Sequence, residues 1–137
     1  GHPVATAAAL AVVRALNDRG LPARVSAMGK KLQSTLDAAF SQHPHIGDIR
    51  GRGLFRGIEI VEDRETKKPF DPRLGLAGKI KKAAFAEGLI CYPMSGTRDG
   101  KHGDHILLAP PFIIEEAQIE ELVEKLSRAL GQVLLET

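Results

Sequence analysis

The sequence predicts an α+β fold: a small antiparallel-type sheet of three to four short strands covered by helices. Three observations predict it. The closing segment, about Glu115 to Leu134, sets Ile119, Leu122, Val123, Leu126, Leu130, Val133 and Leu134 on one helical stripe. The middle of the chain, Ile46 to Val61, is rich in β-branched residues and broken by glycines, as strands with turns are. Finally, the elements follow in the order helix, helix, strand, helix, strand, strand, helix, which suits a sheet with helices on one face.

The first helix is expected from Pro3 to about Arg19, since proline suits the first helical position and Gly20 can end the helix in a left-handed conformation. Its run of Ala, Val and Leu from Val4 to Val13 leaves almost no polar face. A surface helix carries an apolar stripe on part of its circumference only. This one is therefore expected to pack on something outside the chain, a missing large domain or a partner subunit. A second helix, about Pro22 to His43, lines up Val25, Met28, Leu32, Leu36, Ala39 and Phe40.

Leu54 to Val61 is expected as a true strand, with the glycines before it marking a bulge or a close backbone approach. Glu62 to Phe70 reads as a charged loop or hairpin tip. Asp71-Pro72 supplies a capping carboxylate and a first-turn proline, opening a third helix that ends near Gly88. Leu89 to Tyr92 and Ile106 to Ala109 are short strands, the latter stopped by Pro110-Pro111. In the last helix Glu115 and Glu116 suit the positive end of the dipole, and Glu121 with Lys125 and Glu124 with Arg128 form i,i+4 pairs.

Composition narrows function. The 137 residues fit a single domain, residues 1–137. Aromatics at 4%, with no Trp, argue against a base-stacking platform, and 19 basic against 17 acidic residues are spread rather than clustered. Neither nucleic acid nor membrane is expected as a partner, because the most apolar stretch is far short of the roughly 20 residues of a span. A lone cysteine, Cys91, rules out an internal disulfide and suits a reducing cytoplasm.

Among motifs, Gly51-Arg-Gly-Leu-Phe-Arg-Gly57 lacks the third glycine and the following helix of a dinucleotide loop. His102, Asp104 and His105 are metal-ligand types, yet no further pair stands at zinc-site spacing, so no metal site is expected. Cys91, expected in an apolar strand, reads as an inert thiol. The long Gly-rich segment between the last two strands carries Arg98, Lys101 and His102 and is the place for an anion-binding side chain.

These residues resemble the class III aminotransferases. Gly1-His2-Pro3 before an Ala-rich helix, Ile46-Gly-Asp-Ile-Arg-Gly-Arg-Gly-Leu-Phe-Arg-Gly-Ile-Glu59, Glu87-Gly-Leu-Ile90 and Gly103-Asp-His-Ile-Leu-Leu-Ala-Pro-Pro-Phe112 match family motifs in order and cover essentially the whole chain. The branch acting on ω-amino acids or amines with pyruvate-like acceptors is the nearest in pattern. The resemblance implies the C-terminal small domain of a fold-type-I enzyme that uses pyridoxal 5'-phosphate (PLP) in a homodimer. It implies amine and 2-oxo acid substrates, and partners in the chain's own large domain and a second subunit.

The lysine that forms the Schiff base would lie outside this chain, as would the Thr that precedes Gly-His-Pro in the family. No catalytic or cofactor-binding residue is assigned here, no cofactor is expected in the isolated chain, and that chain is expected to be inactive. A carboxylate-binding Arg that some members carry two residues before Ala-Pro-Pro is replaced by Leu107. The role of an arginine shortly before Gly-Asp-His passes to Arg98, with Lys101 closer in sequence. The alternatives are a stand-alone small-molecule-binding or regulatory α+β module, and a structural dimerisation domain.

Overall fold

A computed structural model describes residues 1–134 of the chain. Four α-helices and one four-stranded sheet follow in the order α1 (Pro3–Asp18), α2 (Leu21–Phe40), β1 (Ile46–Arg52), β2 (Phe55–Ile60), α3 (Leu76–Ala86), β3 (Tyr92–Ser95), β4 (Asp104–Leu108) and α4 (Glu116–Leu134). Every strand pair is antiparallel, and the spatial order is β1-β2-β4-β3. The α+β class expected from the pattern is the one observed.

Side chains alternate across the sheet, as a pleated strand requires. Arg56, Ile58 and Ile60 of β2 and Asp104, Ile106 and Leu108 of β4 are buried on one face. Against that face lie Leu32, Leu36 and Phe40 of α2, Ile80 and Ala84 of α3, and Ile119, Val123, Leu126 and Leu130 of α4. Burying each of the larger side chains contributes about 1.5–3 kcal/mol, so this single layer holds the fold. The opposite face of the sheet carries no helix of the described residues. Phe55 and Tyr92 stand exposed there, at 56% and 60%.

The glycine-interrupted segment is a strand over Ile46–Arg52, paired with β2 except at Gly47, where the register shifts between Ile46 and Asp48. Its glycines serve a tight hairpin. Gly53, at φ 56°, turns β1 into β2, and a Cβ on Gly29 of α2 would sit 2.4 Å from the Gly53 carbonyl oxygen. Helix and turn can touch only because both residues lack side chains. Arg56 locks the contact, donating to the Gly51 carbonyl at 2.9 Å and the Gly29 carbonyl at 2.8 Å. The Gly51 to Gly57 run is thus a hairpin rather than a nucleotide loop.

Three boundaries differ from expectation. Asp71 does cap Pro72, accepting from the Arg73 amide at 2.9 Å, but only a 3-10 turn (Pro72–Leu74) follows. Gly75, at φ 60°, breaks it, and α3 starts afresh at Leu76. At its far end Gly88 turns left-handed, with its amide on the Phe85 carbonyl and the Leu89 amide on that of Ala84. This C-terminal motif draws Leu89 into the core. The apolar run from Leu89 is therefore spent on leaving the helix, and β3 begins at Tyr92 instead of Leu89. Cys91 accordingly precedes the strand; it is half-buried, and burial pushes its thiol pKa up. Finally, α2 stops at Phe40, short of His43.

Helix α1 stands apart. None of its residues is buried, and Val4, Leu10, Val12 and Val13 are exposed by 48–70%. No helix among the described residues is long and apolar enough to cross a membrane.

Candidate functional site

The β3–β4 connection is a constructed turn. The Gly96 amide donates to the Gly103 carbonyl at 2.8 Å, Arg98 to His102 at 2.9 Å and Gly100 to Gly96 at 2.9 Å. Gly96, Gly100 and Gly103 adopt φ of 82°, 85° and 88°, a region that costs other residues strain. Asp99 ties the tip, accepting from the His102 amide at 2.7 Å, the Lys101 amide at 2.9 Å and the His102 ring at 2.7 Å. These bonds, led by that of the His102 amide, hold its carboxyl far below the usual carboxylate range. At the base Ser95 Oγ donates to buried Asp104 at 2.6 Å, and Thr97 Oγ1 lies 2.5 Å from His105 Nδ1.

Arg98 rises from this turn into a groove of about 310 Å³, which Arg50, Glu59, Lys67 and Thr97 also line. Two of the groove's cations are engaged. Arg50 donates to Asp48 and Glu59, each at 2.8 Å, and Lys67 donates to the Gly47 carbonyl at 2.6 Å. The Arg98 guanidinium has neither a hydrogen bond nor an ion pair among the described residues, and it is exposed. A free guanidinium on a fixed backbone can grip a carboxylate through two parallel hydrogen bonds. Because the turn is tied, any swing of this group belongs to its side chain.

The other sequence candidates go elsewhere. Lys101 does not line this groove, and His102 faces a separate depression of about 530 Å³ with Glu62, Lys68 and Asp71. Successive residues on β4 point to opposite faces, so Asp104 and His105 cannot share a ligand, and no cluster among the described residues could hold a metal ion. Leu107 is half-buried beside Gly57 on the uncovered sheet face. Sequence reading missed Arg50, Glu59 and Thr97. Strand alternation from Ile58 and Ile60 would have put Glu59 on the open face, but the approach of Thr97 is tertiary.

A Schiff base to PLP needs a lysine in an enclosed pocket. No lysine of this chain is buried, and Lys31, Lys67, Lys68 and Lys125 are engaged with Glu120, the Gly47 carbonyl, Glu62 and Glu121. The chain's residues alone do not fit the cofactor.

The family model for class-III aminotransferases matches residues 1–130. An uncharacterised aminotransferase of Schizosaccharomyces pombe is 48% identical over 129 residues, which is 94% of this chain and 28% of that protein. A thermostable (S)-enantioselective ω-transaminase from Thermomicrobium roseum superposes with a TM-score of 0.85 at 34% identity, over 98% of this chain and 28% of that one. An aminotransferase from Vibrio fluvialis solved in its PMP-bound form gives 0.82 at 33% identity, over 93% and 26%. The chain therefore spans little more than a quarter of the length of these relatives. With the family pattern running through nearly every element and the same sheet and helices in solved transaminases, the chain belongs to the class-III aminotransferases.

Proposed function

We propose that this chain is the C-terminal small domain of a PLP-dependent transaminase that moves an amino group from an amine or ω-amino acid to a 2-oxo acid. Its part is to select substrate, with Arg98 gripping the carboxylate. The free guanidinium on a tied turn is the observation that carries this reading. Family membership and the ω-transaminase relative support the reaction class, and the PMP-bound relative supports the cofactor. The Schiff-base lysine belongs to the remainder of the parent polypeptide, which acts as a homodimer in a reducing cytoplasm. A stand-alone module is the poorer account, since such a module would not leave α1 without a single buried residue.

The test is Arg98→Ala in the full-length parent enzyme. Catalysis with carboxylate substrates should fall about 10- to 100-fold, equivalent to ~1.5–3 kcal/mol for a hydrogen bond to a charged group. Amine donors lacking a carboxylate should be nearly unaffected. Equal losses for both classes would mean that Arg98 supports the turn rather than the substrate. A loss on Lys101→Ala with none at Arg98 would transfer the role.

A further inference from the structure

Helix α2 ends at Phe40 and β1 begins at Ile46, and across this corner four rings stand in a row. Phe40 meets His43 with ring centroids 6.3 Å apart, His43 meets His45 at 6.0 Å, and His45 meets Phe70 at 5.1 Å. The two phenylalanines are buried and the two histidines half-buried. The row therefore runs from the end of α2 to the far end of the segment that connects β2 to α3.

Hydrogen bonds fix the histidines more narrowly than ring contacts do. The His45 amide donates to His43 Nδ1 at 3.1 Å, so that nitrogen carries no proton. His45 Nδ1 lies 3.2 Å from the Val61 carbonyl oxygen and 3.1 Å from that of Glu62. Two acceptors can be met only by a donor, so this second nitrogen keeps its proton in either charge state. The backbone returns the bond, for the Val61 amide donates to the His45 carbonyl at 2.9 Å. His45 thus clasps the chain just past β2, and His43 holds the peptide of His45 in place for that clasp. A side chain accepting from the amide two residues on is what Asn or Asp does in an Asx turn. Here the acceptor is one that can take a proton.

The charged groups that face His43 are His45 and, from the β2–α3 connection, Arg64; both are basic. The Glu62 carboxylate is on Lys68, and on α2 the Asp37 carboxylate is on Gln33. Burial first, then these two neighbours, holds the His43 pKa below the ordinary histidine value of about 6.5. The unfolded chain therefore takes up this proton at a higher pH than the folded one. What His43 contributes to stability is full above about pH 6.5 and is lost as pH falls through the lowered folded value.

We propose that His43 and His45 form a pH-operated latch, in which neutral His43 fastens the α2–β1 corner to the root of the β2–α3 connection and protonated His43 releases it. A proton on Nδ1 sets donor against donor at the His45 amide, and the clasp on Val61 and Glu62 loosens with it. The same connection brings Thr66 and Lys67 into the lining of the groove that holds Arg98, so the latch governs one wall of the candidate site.

The test is hydrogen–deuterium exchange mass spectrometry on the PLP-loaded full-length parent enzyme at about pH 7.5 and about pH 5, with rates corrected for the intrinsic effect of pH. Peptides covering residues 41–47 and 59–70 should lose protection roughly 3- to 10-fold at the lower pH, as when a single hydrogen bond opens. Peptides from α4 should keep theirs. His43→Asn supplies an acceptor that does not titrate and should stay protected at both pH values. His43→Phe keeps a ring in the row but no acceptor, and should show the lower protection at both. Equal wild-type protection at the two pH values overturns the latch, as does a His43→Asn variant that loosens in acid like wild type. Parallel loss in α4 would mean general acid unfolding and overturns it equally. Should His43→Phe fail to fold by its thermal midpoint, wild type and His43→Asn still decide the matter.

Discussion

Gly29 and Arg56 show how much of this fold hangs on single atoms. Alanine in mid-helix ordinarily gains about 1 kcal/mol over glycine. At Gly29 the added methyl would meet backbone atoms of Gly53 at 2.4–2.6 Å, and backbone cannot rotate aside as a side chain can. Overpacking of that kind costs about 1–3 kcal/mol, enough to outweigh the propensity gain at most of that range. Gly29→Ala should therefore lower the denaturant midpoint, whereas Gly78→Ala on α3, where a Cβ meets nothing within 4 Å, should hold or raise it. A stabilised Gly29→Ala would show that α2 and the hairpin do not meet so closely. The same crowding explains why the Gly-rich run resembles a ligand loop in sequence and is a packing device in space. Asp99 plays the matching part at the site, since its three bonds turn a glycine-rich segment into a fixed mount for Arg98.

Among the elements, α1 is the one whose surface contradicts its setting. The other three helices each bury a stripe against the sheet or one another, while α1 packs beside α2 without burying a residue and leaves Leu10 and Val13 about half exposed. Soluble monomers rarely expose large contiguous apolar areas. Replacing Leu10 and Val13 together with Glu should leave the thermal midpoint of the chain nearly unchanged and reduce its self-association in sedimentation experiments. Unfolding by that pair of changes would instead make α1 part of this domain's own core. The α3 end illustrates the opposite case, where an apolar run that looks like strand is bent by Gly88 into a helix-terminating contact.

Taken whole, the molecule is a one-sided layer. Helices cover one sheet face, and the face bearing Arg50, Phe55, Glu59, His105 and the Arg98 turn is open. Such a layer can present side chains to a second body, and among the described residues it encloses no reaction chamber of its own. Titrating the isolated chain with PLP should therefore give no saturable absorbance change beyond that of surface lysines. Stoichiometric binding abolished by substituting a single lysine would overturn the assignment of the reactive lysine to the rest of the parent polypeptide.

The sequence by itself determined the α+β class, the last helix, the hairpin region, the apolar excess of α1 and the glycine-rich turn between the last two strands. Those properties are written in periodicity, turn residues and composition, which act over a few neighbouring positions. Only the tertiary structure decided that α3 starts after Gly75, that β3 begins at Tyr92, and that Arg50 and Lys67 are engaged while Arg98 is free. The two boundaries turn on which of several competing local signals wins in the packed fold, and the pairings of Arg50 and Lys67 on which segments lie side by side. Whether a charged side chain finds a partner, as Lys67 does at the Gly47 carbonyl, is a fact of packing between segments that periodicity and composition do not encode.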